Sequence, residues 1–151
     1  GRHMQWLQQQ GLSCLGVDRN PESLKTAASF GEVLQADIEN QAWPLKGHLF
    51  AGIVVTNYLW RPLWPDLLAC LQTDGVLIYE TFAQGNEKFG KPSNPNFLLN
   101  PGELLAFAAR HRLQVLAYED IYVEDPKPAM VQRLCAVKGA LKDRIPLQFP
   151  G

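Results

Sequence analysis

Four polar side chains stand where chemistry could be done, each at the end of a stretch with the composition of a strand. Asp18 closes Leu12 to Asp18 (LSCLGVD), Asp37 lies near the end of Glu32 to Ile38 (EVLQADI), Asn57 follows the apolar run Leu49 to Val55, and Glu80 follows Val76 to Tyr79. In open parallel sheets ligands bind outside the C-terminal strand ends, so acids and amides at those tips can face one crevice. A carboxylate such as Asp18 can accept hydrogen bonds from both ribose hydroxyls of a nucleotide. Its plainer role is to help cap the helix that Asn20-Pro21 announces, an N-cap residue followed by proline at the first helical position.

Further candidates follow the later strands. Tyr58, Trp60 and Arg61 come after the Leu49 to Val55 run, and Glu80 and Phe82 after the next. Arg61 beside a pocket suits a carboxylate or another anion, and beside a surface acid it forms an ordinary ion pair. Glu80 is the candidate general base, against the alternative of a local hydrogen bond. Packing on the sheet edge accounts for Tyr58 and Trp60 as well as substrate contact does. His3, His48 and His111 fall at a chain start, a loop and a helix end, where solvation or capping explains them. No Ser-His-Asp pattern, HExxH or complete phosphate-binding loop is present. Cys14, Cys70 and Cys135 lack CxxC or CxxH spacing, so they read as buried thiols of a reducing compartment, with no metal site.

These residues need a scaffold. Arg2 to Gln10 reads as a helix with Trp6 and Leu7 inward and Gly11 as its stop. GRHM resembles a purification-tag scar but runs into that helix without a linker, which favours a native segment. Leu12 to Asp18 is a buried strand, Pro21 to Phe30 a helix with Leu24, Ala27 and Ala28 on one face, and Glu32 to Ile38 an alternating strand near a sheet edge. Glu39 to His48 is a loop. Leu49 to Val55 is apolar throughout and predicts a central strand covered on both faces. Pro62 to Gln72 is a helix burying Leu63, Leu67, Leu68 and Leu71, and the Asp74-Gly75 turn leads to the strand Val76 to Tyr79. Ala83 to Asn100, with the Asn86 to Asn94 segment inside it, has the length of a lid or substrate-binding loop. Asn100-Pro101-Gly102-Glu103 starts a helix ending near His111. Leu113 to Val123 and Met130 to Val137 form an antiparallel hairpin, and the last dozen residues, with Pro146 and Pro150, are a tail.

Composition bounds the rest. The chain has 151 residues, 46% of them hydrophobic, and 14 Lys and Arg against 15 Asp and Glu, with a net charge of −1. That suits one globular domain over 1–151 with its own core. The absence of a basic run disfavours nucleic acid as a partner, and no apolar run reaches membrane-spanning length. A cytoplasmic protein is expected, and a homodimer is compatible with the sequence. Alternating helices and strands closed by a hairpin predict an α/β fold with a mostly parallel sheet and a C-terminal antiparallel hairpin.

The order GRHMQWLQQQGLSCLGVDRNPESL, LQADI, VVTNYL, DGVLIYETF and the closing hairpin resembles the class I S-adenosylmethionine-dependent methyltransferases. Within them the chain is similar to the small tellurite-resistance-type enzymes. The resemblance covers nearly the whole chain and implies a three-layer Rossmann-like fold with S-adenosylmethionine as cofactor. It implies Gly1 as the last glycine of the cofactor turn, Asp18 on the ribose hydroxyls and Arg19 along the adenine. Asp37 would take the adenine amino group, the Ile38 amide would meet the ring, and Asn57 would lie beside the methionine moiety. Methyl transfer from a sulfonium is an in-line displacement needing mainly orientation and exclusion of water, so no triad is required.

The family's first strand and most of its glycine turn have no counterpart before Gly1. The expectation is an N-terminally incomplete domain, in which strands flanking the gap leave backbone groups unpaired at roughly 1 to 3 kcal/mol each if buried. Three readings stand at this point: a small-molecule methyltransferase, a nicotinamide-dependent oxidoreductase of Rossmann type, and a nucleoside-cofactor-binding domain without catalysis.

Overall fold

The computed structural model describes residues 1–139, and the predicted tail with Pro146 and Pro150 lies outside the described residues. The chain forms two compact units, the first running from Gly1 to Leu45 and the second beginning at Lys46.

In the first unit, helix α1 (Arg2–Gln9) is followed by strand β1 (Leu15–Asp18), helix α2 (Pro21–Ala27) and strand β2 (Glu32–Gln35). Gly11 ends α1 in the left-handed conformation, φ 82°. The Leu12 amide donates to the Leu7 carbonyl and the Gly11 amide to that of Gln8, a Schellman closure that satisfies two terminal carbonyls. Trp6 is 60% exposed, so the expectation that it points inward is corrected; α1 has no buried residue. Its approach to β1 depends on Gly16, where an added Cβ would lie 2.5 Å from Met4 Sδ. In α2, the Asn20 side chain accepts from the Glu22 amide at 2.9 Å with Pro21 in the first turn, as predicted. Leu24 and Ala27 are buried, but Ala28 is exposed. β1 and β2 pair in parallel, with Asp18 opposite Gln35.

The second unit holds β3 (Phe50–Thr56), α3 (Trp64–Ala69), β4 (Leu71–Phe82), α4 (Glu103–Arg110), β5 (Leu113–Val123) and β6 (Ala129–Lys138). Its sheet has the order β3-β4-β6-β5, so the last strand is inserted between two earlier ones. β3 runs parallel to β4, and β6 runs antiparallel to both β4 and β5. The hairpin therefore joins the sheet beside β4, as expected.

Two expectations change here. β3 is an edge strand among the described residues, with Ala51, Gly52 and Val54 exposed, because apolar composition alone does not report how many neighbours a strand has. The Pro62 to Gln72 helix is shorter. A 3-10 turn over Arg61–Leu63 leads into α3, and β4 already begins at Leu71. The Asp74-Gly75 turn exists, but inside β4. Phe50 pairs with Leu71 and Gly52 with Val76, so the intervening residues bulge out, with Asp74 at φ 67°. Leu63, Leu67, Leu68 and Leu71 are all buried, as their spacing implied.

Leu77, Tyr79 and Thr81 form the buried face of β4. The Trp64 and Phe107 rings, from α3 and α4, meet at 4.7 Å, and Tyr79 meets the edge of Phe107 at 6.3 Å. Polar groups within this core are satisfied. Gln132, fully buried, accepts from the Leu104 amide and the Tyr118 hydroxyl and donates to the Asn100 carbonyl at 2.7 Å. No helix of the described residues is long and apolar enough to cross a membrane.

Candidate functional site

Parallel pairing brings the C-termini of β1 and β2 to the same end of the sheet, and the chain beyond β2 turns at Asp37. Its carboxylate makes this turn: Oδ1 accepts from the Glu39 amide at 3.2 Å and Oδ2 from Asn40 Nδ2 at 2.8 Å. The Asp37 amide donates to Gln41 Oε1 at 3.3 Å. The Asn40 bond is foremost in lowering the Asp37 pKa; burial opposes it, and the Glu39 amide and the Arg19 charge add to it. Asp37 is therefore an anion at neutral pH.

Around it lies a hollow of about 240 Å³ lined by Arg19, Gln35, Ala36, Asp37 and Gln41. Arg19 and Asp37, two of the residues assigned by resemblance, are thus brought together. Ile38 is half-buried next to them in the chain. Asp18 sits at the β1 tip, exposed, its carbonyl accepting from the Ala36 amide at 3.0 Å. Asp18 Oδ1 accepts from the Asn20 amide at 3.0 Å, so the helix-entry role is real. Its other carboxylate oxygen has no partner among the described residues. Gly1 stands at the other end of this unit's chain order as the N-cap of α1, and a Cβ there would meet the Ala27 backbone at 3.3 Å. A larger hollow of about 470 Å³, bounded by Leu12, Cys14, Phe30 and Glu32, opens at the opposite, N-terminal end of β1 and β2, away from the acids.

The 240 Å³ hollow falls short of the roughly 300 to 1,000 Å³ clefts that enclose a drug-sized ligand. Its lining offers an anionic acceptor, two primary amides and a planar guanidinium, while Asp18 and Ile38 are not among the lining residues. Gln35 and Gln41 were not singled out from sequence. Their signal is Asp37-Ile38-Glu39-Asn40, the pattern of an acid that turns the chain through its own side chain.

The second unit places the remaining candidates. Asn57 follows the last residue of β3 with φ 54°, a left-handed conformation that asparagine tolerates better than most residues, and its amide donates to the Glu80 carbonyl at 2.9 Å. The Tyr58 carbonyl accepts from the Tyr79 hydroxyl at 3.0 Å, which in turn accepts from Trp64 Nε1 at 3.2 Å. Burial pushes the Tyr79 phenol up to about 12, outweighing the Trp64 hydrogen bond and the Arg61 charge.

Arg61 is fully engaged. It meets both oxygens of Glu103 and also donates to the carbonyls of Asn96 and Leu98 at 3.0 and 3.1 Å. Glu80, lying inside β4 and not at its end, pairs with Arg133 at 2.8 Å across the β4–β6 ladder. Neither Glu103 nor Arg133 could be matched to these partners from sequence, because the pairs span 42 and 53 residues. His111 lies against the Phe107 ring at 5.0 Å, its pKa lowered by burial and then by Arg110, which is a structural setting. No disulfide joins the three cysteines; Cys70 is buried as expected, whereas Cys14 and Cys135 are only half-buried, with the Cys135 thiol pushed up by burial. No cluster of His, Cys, Asp and Glu that could hold a metal occurs among the described residues.

No protein-family model matches the sequence, and no curated protein matches it. Solved structures do. TehB from Haemophilus influenzae superposes with a TM-score of 0.68 at 14% identity over 85% of this chain and 51% of that one. This chain thus spans about half the length of TehB. A putative S-adenosylmethionine-dependent methyltransferase from Listeria monocytogenes gives 0.67 at 12% identity, covering 93% and 87% of the two chains. A methyltransferase of the same cofactor from Archaeoglobus fulgidus gives 0.63 at 13%, covering 91% and 81%.

Proposed function

We propose that this chain, which has the Rossmann-like fold of S-adenosylmethionine-dependent methyltransferases, binds that cofactor and transfers its methyl group to a small molecule. The observation that carries the reading is the placement of Arg19 and Asp37 around one hollow at the C-terminal ends of two parallel strands. The residues present fit the adenosine end. Asp37 would accept from the adenine amino group, the Ile38 amide would meet the ring, and Arg19 would lie along its face. Asp18 would take the ribose hydroxyls through the carboxylate oxygen that the Asn20 amide leaves available. Gly1 and Asn57 keep the roles that the resemblance gives them, the glycine turn and the methionine end.

The cofactor, when bound, supplies an electrophilic methyl on a sulfonium. The chain's task is then to orient the acceptor and keep water out, which can be worth several kcal/mol. Among the candidates Tyr58, Arg61 and Glu80, Glu80 would serve as a base only for an acceptor that must lose a proton, and only on leaving Arg133. Arg61 would bind an anionic acceptor only by giving up Glu103. A cytoplasmic setting is in keeping with three cysteines that form no disulfide with one another.

A second reading, a nucleoside-cofactor-binding domain without catalysis, is favoured by one observation: Arg61 and Glu80 are both held in ion pairs. The two readings separate when the protein is incubated with methyl-labelled S-adenosylmethionine and a small-molecule extract. Label in a new product supports the transferase. Tight binding of the demethylated cofactor with no label transferred supports the second reading.

A further inference from the structure

The loop between β4 and α4 is fixed at unequal strength along its length. Its C-terminal half is built into the fold. Leu98 and Leu99 are 2% and 0% exposed, the Leu99 amide donates to the Phe82 carbonyl, and Gln84 donates to the Leu99 carbonyl at 2.9 Å. Arg61 holds the carbonyls of Asn96 and Leu98 from outside. Its root is equally firm: Asn86, 2% exposed, accepts from the Met130 amide on β6 at 3.2 Å.

Between these points runs Glu87 to Ser93, exposed at every residue but the half-buried Pro92. It opens with a 3-10 turn of its own, in which the Lys88 and Phe89 amides donate to the Gly85 and Asn86 carbonyls and the Glu87 carboxylate accepts from the Gly85 amide at 2.8 Å. Beyond that local turn, two contacts tie it to the rest of the described fold. Asn86 Nδ2 donates to the Pro92 carbonyl at 3.0 Å, and the Phe89 ring rests on Tyr122 at 5.5 Å, both rings close to half exposed. At its turn Gly90 adopts φ 137° in open space.

We propose that the loop is a two-part device: a fixed strap, Asn94 to Leu99, and a flap, Glu87 to Ser93, that opens independently of it. Opening breaks the Asn86–Pro92 hydrogen bond and lifts Phe89 from Tyr122, while Asn86 keeps its bond to β6 and the strap stays in place. The flap stands at the end of the sheet where β4 and β5 finish, since β5 runs alongside β4 with β6 between them. The division rests on contacts within this unit and does not depend on methyl transfer.

Chymotrypsin cuts after both Phe89 and Phe97, so one digest compares flap and strap, and a cut after Tyr79, in the core of β4, reports global unfolding. First cuts in the unaltered protein are expected at Phe89. Asn86→Asp keeps the acceptor for Met130 but loses the donor to Pro92. It should raise the initial rate at Phe89 by about tenfold, as expected for one hydrogen bond, with Phe97 and Tyr79 unchanged. Tyr122→Ala, which removes only a half-exposed ring, should act in the same direction and serves if the first variant is globally unstable. Arg61→Lys should raise the rate at Phe97 and leave Phe89 unchanged. Equal acceleration at both sites in either flap variant, or equal rates at Phe89 and Phe97 in the unaltered protein, would overturn the division.

Discussion

The Arg61 guanidinium grips the Glu103 carboxylate with two parallel hydrogen bonds, Nε to Oε2 at 2.6 Å and Nη2 to Oε1 at 2.8 Å. The same carboxylate accepts from the Asn100 amide at 2.9 Å, fixing the turn before α4, whose N-cap is Gly102 and not the expected Asn100. One acid thus closes the start of α4 and ties it to the chain after β3. Arg61→Ala leaves Glu103, 15% exposed, without its charge partner. The expected loss is about 2 kcal/mol by urea denaturation, below the 3 to 5 of a fully buried pair because Arg61 is one-third exposed.

The same pair sets part of the acid sensitivity. Burial works to raise the Glu103 pKa, but the Arg61 hydrogen bond, the Asn100 amide and the Arg61 charge together hold it below its ordinary 4.5. A carboxyl depressed in the fold contributes stability that is present above its unfolded value and is lost as pH falls through the lower folded value. Stability measured from pH 6 down to pH 3 should therefore fall less steeply in Glu103→Gln than in the unaltered protein.

Gln132 is the centre of the buried polar network. Gln132→Ala takes the acceptor from the Leu104 amide, while the Tyr118 hydroxyl keeps Asp120 at 3.5 Å and the Asn100 carbonyl keeps the Glu103 amide. At 1 to 3 kcal/mol for a group left unpaired, the loss should be about 2 kcal/mol. A change below about 0.5 kcal/mol would show that the network contributes nothing net.

Tyr79 should titrate well above the ordinary tyrosine range. Its phenol is pushed up to about 12 by burial, so the tyrosinate absorbance rise below pH 11 should be the same in Tyr79→Phe as in the unaltered protein. The variant should also lose about 1 kcal/mol, since the Trp64 indole and the Tyr58 carbonyl lose their shared partner.

What could be read from sequence was local. Asn20-Pro21 placed the start of α2 because the cap and its amides lie within three residues, and Gly11 stopped α1 for the same reason. The Leu113 to Val123 strand emerged with the bounds its composition gave. The edge position of β3 was not legible, since strand composition reports burial tendency and not the number of neighbours. Nor was the bulge in β4, because Asp74-Gly75 has the same chemistry in a loop as in a bulged strand. At the site, Asp37 was recognised as an acid at a strand end. Its partners Asn40 and Gln41 were passed over although they lie within four residues. Arg133 and Gln132 were invisible for a different reason: their partners come from other strands and helices.

The central claim is that the Asp18, Arg19 and Asp37 end of the first unit binds the adenosine part of S-adenosylmethionine. Its most direct test is a thermal-shift titration with S-adenosylmethionine, its demethylated product and NAD on the unaltered protein and on Asp18→Ala. A concentration-dependent rise with the first two ligands and none with NAD is predicted. Removal of Asp18 should weaken the response by about 10- to 100-fold in ligand concentration, as charged hydrogen bonds of 1.5 to 3 kcal/mol imply. A response to NAD alone, or one that Asp18→Ala leaves unchanged, would contradict the claim.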